Sequence, residues 1–327
     1  MIPTLLGITV VTFAIIRLAP GDPVELNITT GPTASGEGGG SDKARADIVR
    51  KAKIELGLLD REGKPIPLWK QYGTWVARTV TLDFGRSFKD QRRVVEKIAE
   101  ALPVTMMLSL TSILIAYLVA VPIGVFSAVR RNTADDHVVS TILFLLWSVP
   151  SFLAGTLLIL TLGRQGILPF VGLHSPQSER LGYLPYLWDH AAHVVMPLAC
   201  LTYASFAALS RFVRTGMLEN LRLDYVRTAR SKGLPERDVV LRHALRNSLI
   251  PVVTIMGNIL PQLIGGSVII ESIFTVNGMG YLGFQSILSR DYPVIMAITT
   301  FAAVLTMLGI LVSDVLYCVV DPRISLQ

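Results

Sequence analysis

Residues 104–129, VTMMLSLTSILIAYLVAVPIGVFSAV, contain no charged side chain, and this run constrains the fold more than any other feature. In hydrocarbon every backbone N–H and C=O must be satisfied within the protein, so a helix of roughly 20 apolar residues is the expected element for such a stretch. Comparable runs recur, and six spans are expected, at residues 2–16, 104–129, 138–162, 194–213, 249–270 and 294–320. Composition agrees: 51% of the residues are hydrophobic and 17% charged, with a mean hydropathy of +0.53, outside the balance of a water-soluble domain of this length. The expected fold class is an all-α integral membrane protein with six transmembrane helices.

The first span is short unless it borrows interfacial residues up to Arg17, and no basic residue precedes it, so the expectation is a truncated or misassigned start or a helix that reaches the interface. A cleaved signal peptide fits poorly, because a basic leading region is missing and Arg17-Leu18-Ala19-Pro20 makes a weak cleavage site. Charge sets the orientation. With a cytoplasmic N-terminus the short inner segments hold Arg130, Arg131, nine basic residues from Arg211 to Arg246, and Arg323, whereas the short outer ones hold Arg164, Arg180 and Arg290. Both termini are therefore expected inside. The net charge of +6 follows this topology, so nucleic acid is not an expected partner and membrane lipid is.

The expected organisation is a first helix over 1–19, an extracytoplasmic segment over 20–103, five helices over 104–320 that include a cytoplasmic hairpin at 218–246, and a cytoplasmic tail at 321–327. Within the outer segment, "TTGPTASGEGGGSD" (29–42) reads as a flexible connector. From Asp42 to Gly57, Ile48, Val49, Ala52 and Leu56 mark an amphipathic helix. The stretch 67–88 spaces Trp69, Tyr72, Trp75, Phe84 and Phe88 among charges and is expected to lie along the outer membrane face.

Several chemistries lack their residues. "GGGSDK" has the wrong order for a phosphate-binding loop, and no such loop occurs elsewhere in the chain. His190 and His193 share a helical face but want a third metal ligand. Cys200 and Cys318 fall in separate spans and read as small apolar fillers. No nucleophile, base and orienting acid come together, so neither catalysis nor a bound cofactor or metal is expected. Glu271 and Asp314 are the acids at or near membrane depth, and Glu271, Asn277 and Gly278 are candidate gating or structural residues. Pro122, Pro150, Pro197, Pro251 and Pro261 lie within the spans and favour kinks.

One stretch does not suit lipid. "DYVRTARSKGLPERDVVLRHALRNSLIP", from Asp224 to Pro251, carries six Lys or Arg and three Asp or Glu. A helix over 221–232, with Tyr225, Thr228 and Ala229 along one side, is expected to end at Lys232 and Gly233, the glycine supplying a left-handed cap. Pro235 then opens a second helix with Glu236 and Asp238 in its first turn and Arg242 and Arg246 late. Ala229 and Gly233, four residues apart, are expected to form a small face on which another surface can approach closely. The ordered caps exceed what a loop serving topology alone would need, and they point to a docking element.

This stretch resembles the cytoplasmic coupling loop of permease subunits of ABC importers in the dipeptide, oligopeptide and nickel branch. "FAIIRLAPGDP", "DFGRSF", "ALPVTMMLSLTSILIAYLVAVPIGVFSAVRR" and "ESIFTVNGMGYL" are similar to segments of the first of the two permeases of peptide importers. The resemblance implies a type I importer permease fold in a bacterial or archaeal cytoplasmic membrane. It implies an ATPase-coupling hairpin at Asp224, Tyr225, Arg227, Thr228, Ala229, Lys232, Gly233, Leu234 and Pro235. It further implies a second homologous permease, two ATPase subunits that use ATP and Mg, and an extracytoplasmic solute-binding protein. Three departures stand out: the family's charged N-terminal lead is absent, Arg227 and Thr228 replace the usual Glu and Ala, and Asn277 stands where Pro is frequent. Asn-Gly turns as readily as Pro-Gly. The implied function is ATP-driven uptake of di- or oligopeptides, with nickel or glycosides as alternatives within the family. An ion-coupled secondary transporter is the rival from another class; it would want internal repeats or paired acids at the midplane, and neither is evident.

Overall fold

The computed structural model describes residues 2–18, 47, 49–50, 53–54, 58–60, 62–180, 182–249 and 267–320. Most of the amphipathic segment at 42–57, the connector at 29–42, most of the fifth expected span and the tail at 321–327 lie outside them. The regular secondary structure of the described residues is helical, joined by turns and loops, apart from two isolated bridges, Leu59 with Pro65 and Arg86 with Arg93. In chain order the main helices are α1 (Ile2–Leu18), α2 (Leu68–Val80), α3 (Val94–Val129), α4 (Ala134–Ser148), α5 (Ser151–Leu158), α6 (Tyr183–Asn220) and α7 (Asp224–Ser231). Then follow α8 (236–248), α9 (Val268–Ile273), α10 (Met279–Leu288) and α11 (Tyr292–Val320).

Among the described residues three helices are long and apolar enough to cross a membrane, Val94–Val129, Tyr183–Asn220 and Tyr292–Val312. The shorter apolar α1 contains Arg17 in its last turn. The third expected span, residues 138–162, is not one straight helix. It is α4 followed by α5, which runs on as π-helical turns at Ile159–Gly163, with a bend of 91° between the two parts. Pro150 explains the break: its ring pushes the preceding Val149 out of helical geometry, to φ −81° and ψ 122°. Tyr203 of α6 donates a hydrogen bond to the Val149 carbonyl at 2.5 Å, replacing a bond that the broken helix cannot make. By contrast Pro103 and Pro122 sit inside α3 and Pro197 inside α6 without ending either helix. α3 thus begins ten residues before the expected span.

The chain divides into two compact units, Met1–Leu102 with Leu282–Met307, and Pro103–Tyr281 with Leu308–Gln327. In the first, α2 packs on α1 through aromatic rings: the Phe13 centroid lies 5.4 Å from Tyr72 and 5.9 Å from Trp75. The Tyr72 hydroxyl also hydrogen-bonds Thr9 at 2.9 Å. These rings serve helix packing as well as any interface, while Trp69 stays 76% exposed. The "DFGRSF" loop is tied down by Asp291, which is 1% exposed and accepts from the Ser87 hydroxyl and from the Phe88 N–H at 3.0 Å. Lys97 completes this polar knot, 2.8 Å from Asp90 and 3.9 Å from Asp291. Burial would push the Asp90 carboxyl up, but hydrogen bonds from Lys97, Ser87 and Arg92 outweigh it and hold it below the usual range.

The second unit has two apolar centres. One gathers Leu108 of α3, Val194, Met196 and Cys200 of α6, and Ile270, Phe274 and Val276 around the end of α9. The other joins Ala120 and Ala128 of α3 and Leu209, Val213 and Met217 of α6 to the hairpin that follows α6. Close approach of α3 and α6 there depends on Gly124, where a Cβ would lie 2.7 Å from the Ser210 carbonyl oxygen.

Candidate functional site

The hairpin forms in the order expected, with a later start. Leu223 is extended, at φ −74° and ψ 152°, so α7 begins at Asp224 rather than Leu221. Its C-terminus is a Schellman motif: the Leu234 N–H donates to Ala229 O at 3.4 Å and the Gly233 N–H to Arg230 O at 2.9 Å. Gly233 has φ +76°, which a side chain would strain. Pro235 follows, and α8 starts at Glu236–Asp238, widens into π-helical turns over Val239–Ala244 and returns to α geometry at Leu245–Ser248. Across the turn, Arg230 grips Glu236 at 3.1 and 2.6 Å. That pairing lowers the Glu236 carboxyl pKa and raises that of the Arg230 guanidinium, while exposure keeps its contribution to stability small.

The two faces of the hairpin differ. Inward, Val226 and Ala229 of α7 and Val239, Val240 and Ala244 of α8 are buried together with residues of α3 and α6. Ala229, 5% exposed, therefore lets the hairpin's own chain approach. The small face expected from Ala229 and Gly233 is not a shared outer surface: the alanine is spent on internal packing and only Gly233 opens outward, with nothing within 4 Å of an added Cβ. Tyr225 is half-buried and donates to Asn220 Oδ1 at 2.8 Å, anchoring α7 to the end of α6. Outward stand Asp224, Arg227, Thr228, Lys232, Gly233, Leu234 and Pro235, all exposed. Arg227 and Asp224 lie 3.6 Å apart, and Leu234 is an apolar residue 40% exposed in the middle of this charged surface.

A second set of residues, unnoticed in the sequence, braces the base of the hairpin. Asp136, in the first turn of α4, is 2% exposed. It accepts from Arg214 of α6 through Nε at 3.0 Å and through Nη2 at 2.7 Å, from the Asn132 N–H at 3.0 Å, and from the Ser127 hydroxyl. The Arg214 hydrogen bonds hold its carboxyl well below the usual carboxylate range, against the effect of burial. One carboxylate thus fastens the end of α3, the turn to α4, and the part of α6 that leads into α7. Close packing continues at Gly216, where a Cβ would come within 3.1 Å of the Ser248 carbonyl oxygen.

Glu271 anchors its turn through hydrogen bonds. It is 2% exposed, and its carboxylate accepts from the Tyr281 N–H at 2.9 Å, the Thr105 hydroxyl at 3.1 Å and the Ser267 N–H at 3.3 Å. Thr105 Oγ1 in turn accepts from the Met279 N–H at 2.7 Å. Gly278 is obligatory within this knot, since its Cβ would lie 2.4 Å from Thr105 Oγ1 and 2.5 Å from Glu271 Oε2. Asn277 is exposed at the tip. The side chain of Asp314 lies outside the described residues. His193 is buried and its Nδ1–H donates to Asp189 O at 2.7 Å, while Asp189 binds the backbone and hydroxyl of Ser175. This ties the loop before α6 to its helix. Among the described residues no group of three or more His, Cys, Asp or Glu could hold a metal ion.

The hairpin, its brace and the Glu271 turn all fall within residues 120–326, except for the Thr105 end of the knot, and that range matches the family of the binding-protein-dependent transport system inner membrane component. The chain belongs to that family. The oligopeptide transport system permease protein AppB of Bacillus subtilis is 39% identical over 327 residues, covering 99% of this chain and 96% of the relative. The dipeptide transport system permease protein DppB of Lactococcus lactis is 37% identical, covering 99% and 95%. A dipeptide permease of the same name from Bacillus subtilis is 34% identical, covering 100% and 96%. As a member of this family the chain is a permease subunit of ABC importers, and its apolar helices are those of a membrane protein.

Proposed function

We propose that this permease forms half of the translocation pathway of an ATP-driven importer for di- or oligopeptides. The observation that carries the substrate class is likeness along almost the whole length to permeases named for oligopeptides and dipeptides. In this reading six helices span the membrane with both termini cytoplasmic. Residues 20–103 lie outside, and 104–320 form the transport domain. The chain hydrolyses nothing itself: two partner ATPases use ATP and Mg, a second related permease completes the path, and a solute-binding protein delivers cargo from outside. The outer face of the hairpin, Asp224, Arg227, Thr228, Lys232, Gly233, Leu234 and Pro235, meets the ATPases, while its apolar inner face passes their movement to α3 and α6. The conformational change is then a two-state shift driven by the difference in contact energy between nucleotide states.

The test is uptake of a labelled peptide by the reconstituted complex, with hydrolysis-inactive ATPase subunits as the comparison. Uptake should cease when hydrolysis does. Uptake that persists without hydrolysis would sink the ATP-driven reading, and competition by nickel or a glycoside instead of by peptides would sink the substrate class.

A further inference from the structure

Two arginines lie one helical turn apart on α6, and they have different surroundings. Arg214 is consumed by Asp136. Arg211, near the cytoplasmic end of the expected span 194–213, has no acid at ion-pair distance among the described residues; its guanidinium lies 5.6 Å from the Phe144 ring centroid. It lines an open groove of about 350 Å³ with Trp147 of α4 and Ala208, Phe212 and Thr215 of α6. That volume reaches the range of small-ligand sites, about 300–1,000 Å³. A permanently charged side chain at the end of a membrane span keeps its charge in water or against polar groups, and this groove opens beside one. The groove also adjoins the break in the α4–α5 span: Trp147 stands two residues before Val149, whose carbonyl leaves the helical ladder. Non-helical backbone at membrane depth is tolerated where protein or water surrounds it, and interrupted helices recur at solute sites.

We propose that this groove lines the solute path and that Arg211 binds the C-terminal carboxylate of a passing peptide. A guanidinium fork presents two parallel N–H donors that match a carboxylate. Phe144, Trp147 and Phe212 supply apolar and π surface beside it, suited to side chains of varied sequence. Because Phe144 and not an acid is its neighbour, the guanidinium is free to engage and release an anion in each cycle. The proposal rests on the peptide reading above and adds to it a recognised group and the residue that recognises it.

The experiment compares uptake of one peptide as its free acid and as its C-terminal amide by the reconstituted complex, before and after Arg211→Gln. The binding protein is the same in both complexes, so its own preference cancels in the ratio of ratios. The acid-to-amide uptake ratio should fall by about fivefold, the size of one charge-assisted hydrogen bond partly shared with water, and Arg211→Lys should restore part of it. If Arg211→Gln does not insert, Arg211→Lys replaces it, with a fall of about twofold expected because a lysine lacks the bidentate fork. An unchanged ratio overturns the proposal. So does an equal fall for acid and amide, the result expected if Arg211 instead faced a lipid phosphate. Uptake of neither peptide by the unaltered complex would overturn the peptide reading and this proposal with it, an outcome distinct from an unchanged ratio.

Discussion

Gly233 and Gly278 each sit in a tight turn between two helices, and their surroundings are opposite. At Gly233 an added Cβ would meet nothing within 4 Å; at Gly278 it would strike Thr105 and Glu271 at 2.4 and 2.5 Å. The first turn needs glycine for its backbone, at φ +76°, and leaves the space beyond it empty. The second needs glycine because the chain itself fills that space. Both helix-to-helix connections are well capped, so order alone does not separate them. What separates them is where the polar groups point: Glu271, Thr105 and the N–H groups of Met279 and Tyr281 bond one another in a buried knot, whereas Asp224, Arg227 and Lys232 around Gly233 stand exposed.

If the contrast holds, substitutions at the two turns should damage different properties. Gly278→Ala should cost about 3 kcal/mol, since two polar atoms of a closed hydrogen-bond knot must move; it should show as a large loss of thermal stability in the purified complex. Asp136→Asn should cost about 2 kcal/mol by weakening the grip on Arg214, whose partial exposure softens the loss. The Asp136 carboxyl lies below its ordinary range when folded, so its contribution is complete above the ordinary carboxylate pKa of about 4 and is lost only as pH falls through the folded value. The stability gap between the Asp136→Asn variant and the parent should therefore stay constant from pH 5 to 8 in thermal melts. Gly233→Ala should cost least, about 1 kcal/mol for a side chain at positive φ, with the complex still assembled. A melting-temperature loss at Gly233 as large as that at Gly278 would erase the distinction.

The sequence made the Gly233 turn readable because its signals are local: a cation, a glycine and a proline within four residues, followed by two acids. It also exposed the apolar runs, and Pro150 marked the place of the break in the third span, although not its angle. Contacts between distant residues were hidden. Asp136 reads as one of two adjacent acids in a short loop, and nothing in the sequence connects it to Arg214, 78 residues away. An acid near membrane depth, such as Glu271, is costly by itself; its partner Thr105, 166 positions away, shows that hydrogen bonds within the fold can offset that cost. The four-residue spacing of Ala229 and Gly233 suggests one small face, but spacing cannot tell which side of an amphipathic helix meets the protein, and the structure turns Ala229 inward.

The central claim, that the outer face of the hairpin meets an ATPase, is open to a direct proximity measurement in the assembled transporter. Lys232→Cys places a thiol on the exposed turn, and Trp69→Cys places one on α2, at a site 76% exposed. A short bifunctional thiol reagent should join Lys232→Cys, and not Trp69→Cys, to an ATPase subunit bearing a surface cysteine, with a yield that changes when ATP is added. No cross-link from position 232 in any nucleotide state, or an equal yield from position 69, would contradict the account.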